Sequence, residues 1–230
     1  MSTDDTSSGL AIRSFVRRAG RLTDAQANAV MQHWRTFGLS PDGLLDFDAV
    51  FGRRAPRFLE IGFGMGDALL ELAAANPGHD YVGVEVHEPG IGRLLRGLSD
   101  QQLNNVRVIR GDAADIVRKH IADASLAGVL VFFPDPWPKK RHHKRRLIQS
   151  GFTQLLADKL ECGGQLHLAT DWDDYACQML SVLGAQPQLC NLAGNGCFAR
   201  RPDSRPMTKF EIRGVRLGHG VWDLLFERAD

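Results

Sequence analysis

Three glycines at alternate positions fill the stretch Glu60-Ile-Gly-Phe-Gly-Met-Gly66, with one carboxylate at its start, Glu60, and another just after it, Asp67. Glycines spaced in this way let the chain turn tightly and bring bare backbone against a ligand. Ligands of open parallel sheets bind beyond the carboxyl ends of the strands, where the strand order reverses, so acids at the ends of apolar runs carry meaning. Glu60 ends the first such run and Glu85 the next, where a carboxylate can accept both hydroxyls of a ribose. Asp112 follows the third run in Arg110-Gly111-Asp112-Ala113, placed to meet an adenine edge. Dinucleotide enzymes share the glycine turn and an acid further on. Their pyrophosphate asks for G-x-G-x-x-G and unopposed amides at the helix start, whereas this loop reads G-x-G-x-G between two acids. Extra carboxylates repel a diphosphate and suit a ligand that carries a sulfonium and an ammonium. S-adenosylmethionine (SAM) carries both, so Glu60, Gly62, Gly64, Gly66, Glu85 and Asp112 are expected to bind it.

A second constellation follows the fourth apolar run. Val129-Leu130-Val131-Phe132-Phe133 leads into Pro134-Asp135-Pro136-Trp137-Pro138 and then into KKRHHKRR at 139–146. Three prolines fix the backbone of a loop that must aim one carboxylate and one indole. Asp135, beside the expected position of the methyl donor, is the candidate catalytic acid and a further SAM contact. The plainer reading is an Asp that starts a turn next to proline. The basic run holds no acid, although the chain as a whole carries only +1. Such a run is a local footprint for phosphate, or else a solvated helix face. His142 and His143 are neighbours, which is not metal-ligand spacing on a helix, so no metal is expected.

The elements that position these residues follow from periodicity. Thr23 and Gln26 have capping-box spacing, which predicts a helix from Asp24 to Phe37, ended by Gly38 and Pro41. Strands are predicted at 57–61, 80–85, 105–110, 127–132 and 164–169, and helices at 66–75, 88–99, 113–121, 144–160 and 172–183. This rhythm marks right-handed β-α-β units. Strands near 187–192 and 220–228 follow with no clear helix between them and should pair antiparallel. The expected class is α/β, a Rossmann-like class I methyltransferase fold: a mostly parallel seven-stranded sheet with an antiparallel last strand and helices on both faces. One domain at 23–230 suits the length, after a flexible basic arm at 1–22 whose Arg13, Arg17, Arg18 and Arg21 offer a second phosphate contact. Cys162, Cys177, Cys190 and Cys197 have neither zinc-site pairing nor the density of a disulfide framework and are expected to be reduced and mostly buried. No apolar run nears the ~20 residues that span a bilayer, and no secretory signal is present, so a cytoplasmic protein is expected.

In these features the chain resembles the bacterial-type tRNA (guanine-N7-)-methyltransferases over roughly residues 12–228, beginning at Ile12-Arg13-Ser14-Phe15-Val16-Arg17-Arg18. The likeness is densest in FLEIGFGMG at 58–66, FFPDPWPKKRHHKRR at 132–146 and RPMTKFEIRGVRLGHGVWDL at 205–224. The last two are specific, since the generic methyltransferase fold requires neither. The resemblance implies methyl transfer from SAM to nitrogen 7 of guanosine 46 in the tRNA variable loop. It implies that Glu60, Glu85 and Asp112 bind SAM and that Asp135 is the active-site acid. It implies contacts to the substrate nucleoside from Lys139, Asp171, Thr208, Lys209, Phe210 and Glu211. It also implies an RNA-binding segment at Arg141, His142, His143, Lys144, Arg145 and Arg146. The pattern departs mildly at Pro138 and Lys140. The partner implied is tRNA, with no membrane and no obligate protein partner, in a monomer or homodimer.

Plainer roles stand beside these. Asp171 has the place of a helix cap, Thr208 and Glu211 have capping-box spacing, and Trp137 or Phe210 either stacks on an extruded base or belongs to the core. Three other functions fit the same residues: a SAM enzyme acting on a small molecule or another RNA, a non-catalytic RNA-binding protein on a degenerate fold, and a nicotinamide dehydrogenase.

Overall fold

The computed structural model describes residues 22–207, 211 and 220–229. The expected basic arm lies outside them, apart from Leu22, as do Thr208, Lys209 and Phe210. Helix α1 (Asp24–Phe37) opens on the expected capping box: Thr23 Oγ1 accepts from the Gln26 N–H, and Gln26 Oε1 accepts from the Thr23 N–H at 3.0 Å. At its end, a Cβ on Gly38 would fall 2.3 Å from the Trp34 ring, so the chain can turn against that aromatic only at glycine.

Strand β1 (Gly38–Leu39) and helix α2 (Phe47–Phe51) come next, then the alternating part: β2 (Arg57–Ile61), α3 (Asp67–Ala75), β3 (Asp80–Glu85), α4 (Glu88–Asp100), β4 (Val106–Arg110), α5 (Ala113–His120), β5 (Leu126–Phe132). A 3-10 turn (Lys140–Arg145), α6 (Ser150–Lys159), β6 (Leu160–Thr170), α7 (Asp173–Gly184), β7 (Leu189–Asn191) and β8 (Trp222–Arg228) complete the chain. The strands form one sheet in the order β1-β4-β3-β2-β5-β6-β8-β7. All seven expected strands are present, and the two-residue β1 adds an eighth at the edge, parallel to β4. β8 runs antiparallel to both β6 and β7, as two strands without a crossover helix should.

Both faces are covered. Leu69, Leu94, Leu95 and Leu98 of α3 and α4 close one side, and Ile116, Leu156 and Met179 of α5, α6 and α7 close the other. A strand buried on both faces reads as continuously apolar, and every residue of β3 is indeed buried. The order reverses at β2, between β3 and β5, which places the ligand crevice at the carboxyl end of β2.

Two expectations are corrected, and one element was not foreseen. The helix predicted at 144–160 is two elements, because Arg146 leaves helical geometry (φ −57°, ψ 135°) to bury its side chain, and α6 starts only at Ser150. The short helix α2 was not foreseen, although Asp46 caps its Ala49 N–H at 3.1 Å and Gly52 ends it in the left-handed region. The four cysteines form no disulfide among the described residues and are exposed, not buried: Cys162 on β6, Cys177 on α7, Cys190 on the edge strand β7, and Cys197 after it.

Candidate active site

The glycine loop leaves β2 at the switch point, and Gly62, Gly64 and Gly66 all have positive φ (73°, 57° and 78°), a region closed to most side chains. A Cβ on Gly62 or Gly64 would meet nothing within 4 Å, so both face open space, while one on Gly66 would strike Leu94. The first turn of α4 lies against the loop so closely that a Cβ on Gly90 would sit 1.8 Å from the Gly64 carbonyl oxygen. Glu85 braces the loop: its Oε2 accepts from Gly64 N–H at 2.8 Å, and its Oε1 accepts from Val86 and His87 N–H at 2.6 and 3.0 Å. A carboxylate has about four accepting sites, so Glu85 keeps one for a hydroxyl. The Gly111 N–H donates to the Glu85 carbonyl at 3.1 Å, which brings Asp112 alongside. One oxygen of Asp112 caps α5 through Ala114 N–H at 2.9 Å.

Glu60 is buried, and its Oε2 has no hydrogen-bond partner among the described residues. Burial, helped by the charge of Glu85, pushes its carboxyl up to about 8. A buried acid without a counter-charge fits a cationic ligand group, and the sulfonium and ammonium of SAM are such groups. The consequence for stability has a definite sign. Between pH 4.5 and about 8 the folded state holds a proton that the unfolded state has released, so stability falls as pH rises through that window. Glu60→Gln is therefore expected to flatten the decline and raise the melting temperature of the ligand-free protein at pH 8, by thermal unfolding at pH 6 and pH 8. An unchanged pH profile would mean that Glu60 is ionised in the fold.

On the other side of β2, Glu60 pairs with Leu130 of β5, and the Asp135 loop continues from the same strand end. Only four non-glycine residues among those described have positive φ, and two flank the catalytic candidate: Phe133 (53°) and Trp137 (44°). Bulky residues occupy this region only when their surroundings hold them there. Phe133 is held by its N–H, which donates to the Ala169 carbonyl of β6 at 2.8 Å. Trp137 is half-buried under the basic turn, with the Arg145 guanidinium 4.9 Å from its ring centroid and the His142 ring edge-on at 5.9 Å. Asp135 between them is exposed.

The basic turn presents Lys139, Lys140, Arg141, Lys144 and Arg145 to solvent, with His142 and His143 half-buried. Desolvation and the surrounding cations Arg141, Arg145, Lys139 and Lys144 lower the pKa of His142, so that ring adds no charge at neutral pH. Arg146 departs from the expected role of phosphate contact: it is 2% exposed and its guanidinium is already occupied within the fold. Asp171 emerges half-buried from β6 and does not cap α7, whose first position is taken by Trp172. Trp172, an exposed aromatic at this rim, was not singled out from the sequence; its signal was its place directly after a strand-end acid.

Glu211, expected at the substrate, is buried instead against Arg205, with Nη1–Oε2 at 2.6 Å and Nη2–Oε1 at 2.7 Å. Arg205 also reaches Asp223 Oδ2 at 3.1 Å, and Asp223 Oδ1 lies 2.8 Å from His167 Nε2. Burial alone would lower the Arg205 pKa, but Glu211 and Asp223 raise it, so the guanidinium stays charged. It lies 5.9 and 5.8 Å from the Phe132 and Phe133 rings, directly behind the Asp135 loop.

A glycine loop at the switch point of a mostly parallel sheet whose last strand is inserted antiparallel defines a class I methyltransferase. A rRNA methylase from Streptococcus thermophilus superposes with a TM-score of 0.51 at 13% identity, covering 76% of this chain and 88% of that one, a likeness of fold alone. The sequence narrows the class. Residues 54–224 match the family described as "Putative methyltransferase". The tRNA (guanine-N(7)-)-methyltransferase of Ectopseudomonas mendocina is 55% identical over 229 residues, 99% of this chain and 96% of its own. That of Thiobacillus denitrificans is 58% identical over 219 residues, 94% of this chain and 95% of its own. The chain belongs to the tRNA (guanine-N7-)-methyltransferase family.

Proposed function

We propose that this protein transfers the methyl group of SAM to nitrogen 7 of guanosine 46 in the tRNA variable loop, giving 7-methylguanosine. The observation that carries the reading is the Asp135 loop: an exposed carboxylate between two strained aromatics, at the strand end beside the cationic-ligand crevice and directly before a basic turn. When bound, SAM supplies a methyl group on a positively charged sulfur. Glu60 and the glycine loop hold that end of the cofactor, and Glu85 and Asp112 hold its nucleoside. Lys139 and Asp171 orient the guanosine with Thr208, Lys209 and Phe210, while Glu211 pairs with Arg205. The exposed cations from Lys139 to Arg145 hold the phosphates. No metal is invoked, and no helix among the described residues is long and apolar enough to cross a membrane. We read the protein as cytoplasmic, a monomer or homodimer with tRNA as its partner.

Labelled SAM and unmodified tRNA should give labelled RNA, whereas tRNA with adenosine at position 46 should stay unlabelled. Label on both RNAs, or on neither, would assign a different acceptor. The RNA-binding part of the reading has its own check in salt. Replacing Arg141 and Arg145 together by alanine is expected to weaken tRNA binding and to reduce the log–log salt slope by about 0.7–0.9 for each phosphate that is no longer neutralised. SAM affinity should stay at the parent value, and an unchanged slope would make the turn a merely solvated surface.

A further inference from the structure

We propose that Arg146 is a positioning residue for Asp135, fixing the Pro136 carbonyl from behind and so setting the direction of the catalytic carboxylate, rather than a ligand of RNA phosphate. Composition hides it within a run of cations, yet its side chain is 1% exposed while Lys144 and Arg145 beside it face solvent. Every guanidinium nitrogen has a partner in the fold. Nε donates to the Pro136 carbonyl at 2.8 Å, Nη1 to Gln178 Oε1 at 2.5 Å, and Nη2 to Asp174 Oδ2 at 2.5 Å. Its face lies 4.8 Å from the Tyr175 ring centroid. Each nitrogen that a phosphate oxygen would approach is thus already given to an acceptor of the fold.

The position of the Pro136 contact gives the arrangement its meaning. Asp135 sits between two fixed points, the Phe133 N–H held by Ala169 of β6 and the Pro136 carbonyl held by Arg146. A residue in the left-handed region stands at each of them, Phe133 on one side and Trp137 on the other. Such backbone relaxes when a restraint is removed, and Arg146 is the restraint on the Pro136 carbonyl, beside the Arg145 and His142 contacts to the Trp137 ring. The same helix that carries Asp174 and Gln178 also holds the far end of the segment: Tyr175 Oη accepts from Ile148 N–H at 3.1 Å, and Gln178 Nε2 donates to the Ile148 carbonyl at 3.2 Å. Helix α7 thus clamps residues 146–148 and, through one guanidinium, the loop that carries Asp135. Lysine cannot substitute, because it lacks the planar fork that serves three acceptors at once.

The inference rests on the reading of Asp135 as the catalytic acid. Its test compares Arg146→Gln and Arg146→Lys with the parent, measuring kcat, KM for tRNA, SAM affinity and the salt slope of tRNA binding on protein shown to be folded by its thermal transition. Both variants are expected to lose at least about tenfold in kcat, of the order that misplacement of a reacting group causes, with the salt slope unchanged. In an Asp135→Asn background, Arg146→Gln should cost nothing further, since the group it positions is gone. A slope reduced by the equivalent of about one phosphate, with kcat intact, would make Arg146 an RNA ligand and overturn the proposal. So would a parent-like kcat in the folded fraction, or a full additional loss on the Asp135→Asn background. Failure of the underlying reading looks different: Asp135→Asn with Arg146 intact would then retain full turnover.

Discussion

Asp135→Asn is expected to lower turnover on saturating tRNA by about 10²–10³-fold, the usual consequence of deleting one charge-stabilising group from an active site. The size of the effect follows from what this reaction requires. Nitrogen 7 of guanine already carries a free pair at neutral pH, so the roughly 10²–10⁴-fold that a general base can contribute has no proton to act on in the transfer step. Two demands remain. The base must be held in line with the methyl group, and positioning of that kind is worth roughly 7–11 kcal/mol in favourable cases. The ring must also accept positive charge as the methyl arrives, which a nearby carboxylate favours. Asparagine keeps the shape of Asp135 and its place between two prolines but removes the charge. Single-turnover kinetics with SAM and tRNA both saturating would isolate the step, and full turnover in the variant would remove Asp135 from the chemistry.

Arg205→Ala should destabilise the protein by about 3–5 kcal/mol, because removing one partner of a buried ion pair leaves the buried charges of the others poorly compensated. Arg205 is fully buried and holds Glu211 through two parallel hydrogen bonds, with Asp223 and His167 in the same cluster. The alanine variant would leave two buried carboxylates with only His167 and the half-exposed Arg201 beside them and would open space behind Phe132 and Phe133. Urea unfolding read by fluorescence measures the destabilisation. A change below about 1 kcal/mol, the value of an exposed pair, would mean that the cluster is wet.

Much of this was legible in the chain because local rules and global fold agree. Thr23 and Gln26 announced α1, and the alternation of apolar runs with helical patterns pointed to the parallel sheet, whose β3 is buried along its whole length. The glycine loop was legible because three positive-φ positions at alternate residues admit little else. What escaped the sequence was direction. A run of six cations reads as one surface, and nothing in its composition says that Arg146 turns inward while Arg145 turns out. The predicted helix at 144–160 failed for the same reason, since a tertiary contact to α7 overrides local propensity at Arg146. Glu211 shows a related limit: capping-box spacing and family likeness both pointed elsewhere than to Arg205, six residues earlier, which only the folded C-terminal segment brings against it. The cysteines illustrate the converse, since a residue type that is usually buried lies exposed here at four separate places.

The central claim, a methyl group placed on nitrogen 7 of one guanosine, is tested most directly at the level of the product base. Unmodified tRNA is incubated with the protein and SAM, then treated with the reduction and aniline chemistry that cuts RNA only at 7-methylguanosine. A single cut at position 46, absent without SAM and slowed by about 10²–10³-fold in Asp135→Asn, is the expected result. Methylated RNA that resists cleavage, or cuts scattered over other guanosines, would contradict it.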